Sequence, residues 1–584
     1  MTYDTWPSLP GMFFEIAERG GDGAFLWTKT DGRYRPLSWR DTAARVRDMA
    51  KGLAALGVSA GERVAIVAEN RPEWAIADLA VMTLGAISVP AYTTNTVHDH
   101  RHLLADCGAK GVIVSTRALA ARVLPAAAEV ADTEFIVTME ATEPGAFDIA
   151  LHDWDSVLAT GAASDHDLEP SLQKLARGDV ACLIYTSGTG GNPKGVMLSH
   201  QAILINCHSA CELLRLLGLG DEVFLSFLPL SHAYEHTAGL YFPISISAQI
   251  YYAESVETLS ANLIEARPTI MVSVPRLYEV MHRRITLGLK RQSKLKQSLF
   301  AKAVALGRKE FEQPGSLGIV QAALNRVLES LVRDKVRARF GGRLKAMISG
   351  GAPLNPEVGI FFSALGVRLL QGYGQTEAAP VIACNPPFKV KLHTVGPALE
   401  KVEVRIAEDG EILARGEMIM NGYWNDETST KAVLREGWLH TGDIGHLDDD
   451  GYIQITDRKK DIIVLSGGDN LSPQRVEGML TLQPEIGQAM VYGDKHAHLV
   501  ALLVPDEDFV RDWRRGSGEA GDFMKTLGAA VERANADLSP HERIKRHMLA
   551  EAPFTIDNEL MTPTLKVRRH KVLEIYRAAL EALY

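Results

Sequence analysis

Hydroxyl, glycine and lysine side chains are concentrated in residues 185–200, which read YTSGTGGNPKGVMLSH. Glycines let the backbone approach an anion closely, while N–H groups, hydroxyls and an ammonium supply donors for phosphate oxygens. The segment therefore predicts a binding site for a polyphosphate such as that of ATP. The candidate binding residues are Thr186, Ser187, Gly188, Thr189, Gly190, Gly191 and Lys194.

Two familiar nucleotide-binding loops do not fit this segment. A Walker loop needs Gly directly before its Lys and Ser or Thr after it, whereas Pro193 precedes Lys194 and Gly195 follows it. A dinucleotide-binding loop needs a third glycine at the place of Pro193. A glycine-rich surface loop remains the alternative for the segment taken alone.

A second group of candidate residues lies in residues 349–380, which read SGGAPLNPEVGIFFSALGVRLLQGYGQTEAAP. Tyr373 stands between Gly372 and Gly374 and can lie flat against a planar ring. The carboxylate of Glu377 is the type of ligand that Mg²⁺ prefers. A buried turn with Glu377 capping a helix would explain the same residues.

Charged residues follow in two further motifs. Asp443 lies between Gly442 and Gly445, and Arg458 opens the charged tetrad RKKD. A carboxylate can accept both vicinal hydroxyls of a ribose, and an arginine can complement it. Near the end of the chain, Lys566 lies in MTPTLKVRRHK, for which a solvated basic tail is the alternative.

The residues HAYEH also match the inverted zinc-protease signature H-x-x-E-H, with His232, Glu235 and His236 as its members. The preceding FLPLS reads as a strand that runs into a turn, and the sequence offers no clear third ligand. A zinc site is therefore disfavoured.

The elements that must position these residues follow from the hydrophobic pattern. From Glu62 onward, the short apolar runs RVAIVA, SVPAY and GVIVS are separated by two helical patterns. This alternation predicts parallel strands covered by helices, and hence an α/β fold. The apolar stretch 236–253 is interrupted by Pro243 and polar residues, which indicates a buried helix and strand rather than a membrane span.

A basic stretch interrupts an otherwise acidic chain. Residues 283–345 carry sixteen Lys or Arg and four Asp or Glu at helical spacing, whereas the whole chain has a net charge of −10. Basic amphipathic helices can lie on anionic membranes or attract the phosphates of CoA, although a solvated helical face fits too. Membrane contact would use Arg333, Arg337 and Arg339.

Composition limits the remaining possibilities. A chain of 584 residues is expected to form at least two domains, and its acidic balance weighs against nucleic-acid binding. Five scattered cysteines favour a reducing compartment, and we expect the cytoplasm. The N-terminus lacks the basic and apolar regions of a secretory signal.

Together, the motifs resemble the adenylate-forming superfamily, which includes acyl-CoA synthetases, luciferases and the adenylation domains of peptide synthetases. The usual loop is Y-T-S/T-G-T-T-G-x-P-K-G, and this chain departs from it at Gly190, where Thr is usual. The resemblance extends over residues 85–569. It implies a large N-terminal α/β domain of parallel and mixed sheets, residues 1–457, and a small mobile α+β lid, residues 458–584.

The resemblance also implies roles for single residues. Tyr373 stacks on adenine, Thr376 contacts the α-phosphate, and Asp443 and Arg458 hold the ribose. Lys460 is the lid hinge, and Gly467 and Gly468 border the path of the CoA thiol. Gly351 and Gly372 belong to the nucleotide site. The implied catalytic residues are Lys566, Lys194, Thr376, Glu377 and His232, and the implied Mg²⁺ ligands are Glu377 and Thr186.

Within the superfamily, the segments SHAYEH, VPRLYEVMHRRI and TPTLKVRR look like those of long-chain fatty acyl-CoA synthetases. The resemblance implies that a fatty acid is activated with MgATP to acyl-AMP and then transferred to the thiol of CoA. Three alternatives stay open: an acyl-AMP ligase that loads a carrier protein, a ligase for another carboxylic acid, and a membrane-surface scaffold with a degenerate site.

Overall fold

The computed structural model describes residues 3–143, 145, 147–186, 193–459, 461–467, 469–515, 520–556, 558–562 and 567–584.

The strands of the described residues are numbered β1 to β26 in chain order. They are Ala24–Thr30, Arg33–Ser38, Arg63–Val67, Ile87–Pro90, Ala109–Val114, Phe135–Thr138, Ala150–Asp153, Val180–Thr186, Lys194–Ser199, Val223–Ser226, Gln249–Tyr252, Ile270–Ser273, Ala346–Ser349, Leu369–Gly374, Val381–Cys384, Glu403–Ile406, Glu411–Arg415, Gly422–Tyr423, Leu434–Arg435, Trp438–Leu447, Ile453–Arg458, Ile463–Val464, Asn470–Leu471, Ile486–Tyr492, Leu499–Pro505 and Ile544–Leu549.

The α-helices of the same residues are numbered α1 to α21. They are Leu9–Gly20, Trp39–Ala55, Pro72–Thr83, Val97–Cys107, Arg117–Ala128, Trp154–Ala162, Glu169–Lys174, His200–Leu214, Ala233–Glu235, Phe242–Ser245, Leu259–Ala266, Pro275–Lys290, Lys294–Glu312, Ile319–Leu328, Asp334–Ala338, Pro356–Ala364, Glu427–Val433, Pro473–Thr481, Glu507–Arg515, Ala520–Ala536 and Arg569–Glu581. Shorter turns are 3₁₀-helical at Tyr3–Thr5, Arg215–Leu217 and Thr376–Ala378, and π-helical at His236–Tyr241 and Glu329–Arg333.

Two eight-stranded sheets form the larger part of the molecule. One has the order β18-β9-β8-β4-β3-β5-β6-β7, and the other has the order β15-β14-β13-β12-β10-β11-β1-β2. Strand β3 pairs in parallel with both β4 and β5, and helices α3 and α4 connect these strands. The predicted α/β alternation is therefore confirmed.

Helix α3 lies between the two sheets. Its residues are apolar on nearly all sides, and Trp74 and Leu79 are fully buried. A helix that is apolar all round must be covered on every face. Residues of both sheets, such as Ile66 on β3 and Leu26 on β1, join α3 in one continuous core.

The C-terminal part of the chain has its own hydrophobic cores. Strands β24, β25 and β26 form a three-stranded sheet, covered on one side by α18 and α20 and on the other by α21. A five-stranded sheet that contains β20 and β21 precedes it, and β21 ends at Arg458. The boundary between residues 457 and 458 stays a prediction.

The basic stretch 283–345 is helical, as its spacing predicts. Helix α12 enters it, and α13, α14 and α15 occupy most of its length. Among the residues that the structure describes, no helix combines the length and the apolar character needed to cross a bilayer.

Candidate active site

Tyr373, Asp443 and Arg458 form one hydrogen-bonded group. The Tyr373 hydroxyl donates to Asp443 Oδ2 at 2.6 Å, and Arg458 Nε lies 3.3 Å from Asp443 Oδ1. Antiparallel pairing of β20 with β21 places Asp443 directly opposite Arg458. The structure thus brings together three residues that the sequence predicts as a nucleotide site, although their contacts with a nucleotide stay predictions.

Burial determines which member of this group donates. It raises the pKa of the Tyr373 phenol well above its ordinary value, and the neighbouring Asp443 carboxylate raises it further. Tyr373 therefore stays protonated and donates to Asp443. A carboxylate has about four acceptor positions, so Asp443 retains capacity for a further hydroxyl.

Two neighbours hold the part of β20 that carries Asp443. Glu411 accepts a hydrogen bond from the Gly442 N–H at 2.9 Å, and the Thr441 hydroxyl accepts one from the Asp443 N–H at 3.1 Å. Gly442 has a φ of +73°, a conformation that favours glycine. The position of Asp443 is therefore set by the backbone of β20 as well as by Tyr373.

Thr376 and Glu377 lie in a 3₁₀ turn directly after β14. A Cβ atom on Gly374 would lie 1.8 Å from the Pro380 carbonyl oxygen, so the tight return of the chain requires glycine there. The buried Asn206 of α8 fastens this return. Its Nδ2 donates to the carbonyls of Ala378 at 3.2 Å and Val381 at 3.1 Å.

Glu377 and Lys194 meet at Tyr423. The Tyr423 hydroxyl donates to Glu377 Oε1 at 2.7 Å, and Lys194 Nζ lies 5.3 Å from the centre of the Tyr423 ring. The Met420 N–H donates to the Glu377 carbonyl at 2.9 Å. Tyr423 thus links the cation of the glycine loop to the carboxylate that the sequence predicts as a metal ligand.

Lys194 also contacts helix α17. Its ammonium lies 3.2 Å from Asp426 Oδ2 and bonds to the Ser429 hydroxyl. The Ser429 hydroxyl and N–H, followed by Lys194, lower the pKa of Asp426 to about 2. Asp426 is therefore ionised and balances the charge of Lys194, and a bound polyphosphate would compete with it for the ammonium.

Four residues that hold Lys194 or the turn with Glu377 were not predicted from the sequence: Asn206, Tyr423, Asp426 and Ser429. The last three lie in NGYWNDETST, residues 421–430, which precede Asp443 in the chain. Asn206 stands alone in the apolar run AILIN of α8. A buried amide in such a run usually forms hydrogen bonds with backbone groups. This placement of Asn206 was the sequence signal that could have identified it.

The predicted phosphate loop joins two paired strands. Thr186 is the last residue of β8 and lies opposite Lys194, the first residue of β9. Several predicted residues lie outside the described part of the chain, and their roles stay predictions. They are Ser187, Gly188, Thr189, Gly190, Gly191, Lys460, Gly468 and Lys566.

The segment with His232 lies beside the predicted Gly351. His232 is half-buried, and its Nδ1 accepts a hydrogen bond from the Tyr234 N–H at 3.1 Å. The Tyr234 hydroxyl donates to the Ile348 carbonyl on β13 at 3.0 Å, and Gly350 and Gly351 follow directly after this strand. Gly467 lies between β22 and β23.

The structure explains the second histidine of HAYEH without a zinc site. His236 is fully buried, and its Nε2 lies 3.1 Å from Asp78 Oδ2 on α3. Within the described ranges, no three His, Cys, Asp or Glu side chains form a group that could hold a metal. His236 is therefore explained as a core residue paired with Asp78.

Glu235 provides a test of the packing in this segment. Burial raises its pKa from 4.5 to about 8. Because the folded protein keeps a proton that the unfolded chain releases, the free energy of unfolding falls as the pH rises between these values. Relative to Glu235→Gln, we expect the unmodified protein to lose up to about 1.4 kcal/mol per pH unit.

Urea unfolding at pH 5, 6, 7 and 8 measures this difference. The exposed Glu18→Gln is a matched control and should give a curve parallel to that of the unmodified protein. Parallel curves for Glu235→Gln as well would contradict the burial of a protonated carboxyl group.

Comparison with known proteins shows which families and proteins this chain is similar to. A family model described as "AMP-binding enzyme" matches residues 13–424, and one described as "AMP-binding enzyme C-terminal domain" matches residues 460–584. The long-chain-fatty-acid--CoA ligase FadD15 of Mycobacterium tuberculosis is 32% identical over 99% of this chain and 97% of its own. The peroxisomal long chain acyl-CoA synthetase 7 of Arabidopsis thaliana is 29% identical over 99% of this chain and 86% of its own.

Solved structures agree on the fold. The A domain of a carboxylic acid reductase from Segniliparus rugosus, in complex with AMP and a co-purified carboxylic acid, has a TM-score of 0.77 at 22% identity, covering 99% of this chain and 94% of that one. The anthranilate CoA ligase AuaEII, in complex with anthranoyl-AMP, has a TM-score of 0.74 at 19% identity and covers 100% of both chains. At these identities the likeness shows the adenylate-forming fold, as the sequence predicts.

Proposed function

Because this chain belongs to the AMP-binding enzyme family, we propose that it is an acid–thiol ligase that joins a long-chain fatty acid to coenzyme A at the expense of ATP. The observation that carries the proposal is the pairing of Asp443 with Tyr373 and Arg458, which offers a buried acceptor for ribose hydroxyls. Full-length similarity to long-chain fatty acid ligases supports the choice of substrate.

The reaction is proposed in two steps. A carboxylate oxygen of the fatty acid attacks the α-phosphorus of ATP, and the bond to the β-phosphate oxygen breaks, which releases pyrophosphate. The sulfur of CoA then attacks the acyl carbon, AMP leaves with the bonding electrons, and the thiol proton passes to solvent. Both steps depend mainly on positioning and on neutralising charge.

The chain offers a separate group of residues for each part of ATP. Asp443 and Arg458 would hold the ribose, and the Tyr373 ring would lie against adenine. Thr376 would contact the α-phosphate, and Lys194 with the loop after Thr186 would hold the remaining phosphates. The position of Glu377 and Lys194 on either side of Tyr423 supports this division.

The residues also fit a magnesium ion. Mg²⁺ prefers carboxylate and hydroxyl oxygens and keeps several waters, and Glu377 and Thr186 supply oxygens of these types. Glu377 has one oxygen bonded to Tyr423, which leaves Oε2 as the candidate ligand. When bound, the ion would neutralise charge on the phosphates of ATP.

We place the acyl carboxylate beside His232, and the C-terminal region would act as a lid that turns at Lys460. Lys566 would contact the carboxylate and α-phosphate during the first step. Gly467 and Gly468 would border the CoA thiol in the second step. The fold of the C-terminal region, which has its own cores, supports a lid that moves as a unit.

For the cellular setting we propose the cytoplasm with a peripheral membrane contact. All five cysteines lie in the described residues and are free, which fits a reducing compartment.

The substrate is tested with a panel of short, long and aromatic acids. AMP and thioester formation are measured with CoA and, separately, with an acyl carrier protein. We expect long-chain acids with CoA to give the highest kcat/KM. Preference for an aromatic acid would overturn the assigned substrate, and thioester formation on the carrier protein alone would favour the carrier-loading ligase.

A further inference from the structure

Helix α14 presents an unusually exposed row of large apolar side chains. Ile319 is 91% exposed, Val320 is 82% exposed and Val327 is 53% exposed. Leu324 of α14 and Leu331 of the π-helical turn that follows it are exposed as well. We refer to these five residues as the apolar stripe.

The stripe is exposed because α14 packs on the fold mainly at its C-terminal end, and residues 319–324 are all exposed. Leu328 is fully buried, and Gln321 accepts a hydrogen bond from Lys309 of α13 at 3.0 Å. Residues 320, 324, 327 and 331 follow the spacing that lines one face of a helix. Burying this face therefore requires something outside the described fold.

The residues expected from the sequence to face a membrane have another role. Arg333 is only 4% exposed, and it donates to the carbonyls of Ala364 at 2.7 Å and Ala303 at 2.8 Å. Arg337 pairs with Glu329 and Asp334. The prediction that Arg333 contacts lipid is therefore wrong, because charge pattern alone does not reveal which arginines satisfy buried carbonyls. Arg337 is partly exposed, and its contact with lipid stays a prediction.

Other exposed cations lie on α14 and on the helical segment that follows it. Glu329 and Asp334 are the only acidic residues in 319–339, and both are engaged by Arg333 or Arg337. The exposed cations of this segment make no ion pair within the described residues, so their charge is uncompensated. They are Arg326, Lys335 and Arg339.

We propose that the apolar stripe and these three cations form a docking surface for an anionic lipid bilayer. Apolar side chains would enter the interface while the cations meet lipid phosphates, as in interfacial helices. A second copy of the chain is a poorer occupant, because a symmetric dimer would bring identical uncompensated cations close to one another.

The position of the docking surface suits the proposed function. The biological purpose of this surface rests on that function. A Cβ atom on Gly351 would lie 3.7 Å from the side chain of Val274, and Val274 directly precedes α12. The sixteen residues of α12 extend about 24 Å from this point toward α13 and α14. A fatty acid dissolved in a bilayer would therefore be taken up by an enzyme whose helical insertion already rests on that bilayer.

Vesicle flotation tests the surface without ATP, CoA or fatty acid. The full chain is mixed with phosphatidylcholine vesicles, with or without 30% phosphatidylglycerol. We expect binding to the anionic vesicles, and at least a tenfold loss of it in Ile319→Ser/Val320→Ser/Val327→Ser. The matched control Val256→Ser/Ile264→Ser removes apolar residues of similar exposure elsewhere and should bind as the unmodified protein.

A charge variant gives an independent readout. Arg326→Gln/Lys335→Gln/Arg339→Gln should weaken binding to anionic vesicles and reduce its dependence on salt. Unchanged binding by the stripe variant, or no binding by the unmodified protein, would overturn the proposal. A stripe variant that turns a dimer into a monomer in analytical ultracentrifugation, with vesicle binding unchanged, would identify a second copy as the occupant.

The vesicle-binding assay and the activity assay test the two proposals independently. The stripe variant should retain the activity of the unmodified protein toward a detergent-dispersed acid. If the unmodified protein binds the vesicles and the stripe variant does not, while neither has ligase activity, the docking surface stands and the proposed function alone is rejected.

Discussion

Replacing Asp443 by Asn is expected to lower kcat/KM for ATP by about 100- to 1,000-fold, or about 3 to 4 kcal/mol of transition-state stabilisation. The carboxylate accepts from the Tyr373 hydroxyl and faces Arg458, and it has capacity for ribose hydroxyls as well. An amide of the same shape turns one acceptor into a donor and removes the charge that Arg458 complements. The KM for the fatty acid should change little.

Steady-state rates of AMP formation at varied ATP concentrations measure this effect. Asp448→Asn is the matched control, because Asp448 follows the same strand but pairs with Lys391 away from the group. Tyr373→Phe should cost only about tenfold, since it removes one neutral donor and leaves the carboxylate. An ATP dependence of Asp443→Asn equal to that of the control would show that the ribose binds elsewhere.

Replacing Glu377 by Gln is expected to lower kcat by about 100-fold or more, the usual scale for losing one group that stabilises charge in a transition state. The variant keeps an acceptor for the Tyr423 hydroxyl, so the local fold should persist. The charged oxygen available to Mg²⁺ is lost, and the Mg²⁺ concentration for half-maximal activity should rise.

Direct ion binding separates this role from a structural one. Mn²⁺ binding to the complex with a non-hydrolysable ATP analogue, followed by electron paramagnetic resonance, should weaken in Glu377→Gln. Tyr423→Phe is the comparison variant and should affect Mn²⁺ affinity much less, since the carboxylate remains. Equal Mn²⁺ affinity in Glu377→Gln and the unmodified protein would remove Glu377 from the set of metal ligands.

The parts of the fold that depend on the local hydrophobic pattern were predicted best from the sequence. The order β3-α3-β4-α4-β5 follows from short apolar runs separated by helical periodicity, and each element lies where the pattern placed it. The family resemblance predicted Asp443 and Arg458 as a pair. It did not predict that the register of β20 and β21 sets them directly opposite each other.

Contacts between distant segments were not predictable in the same way. Tyr423 reaches Glu377 because β18 pairs with β9, which places Tyr423 opposite Val196 near Lys194. Ser429 lies 235 residues from Lys194 in the chain. The burial of Arg333 likewise depends on how α13 and α16 pack around it. The charge pattern of a single helix does not reveal that packing.

The most direct measurement of the central claim is the exchange of labelled pyrophosphate into ATP. If one site first forms acyl-AMP, exchange should occur with a long-chain fatty acid in the absence of CoA, and should require the acid. Addition of CoA should then convert the acid to its thioester with one AMP released per thioester. Absence of acid-dependent exchange, or formation of ADP in place of AMP, would contradict an acyl-adenylate intermediate.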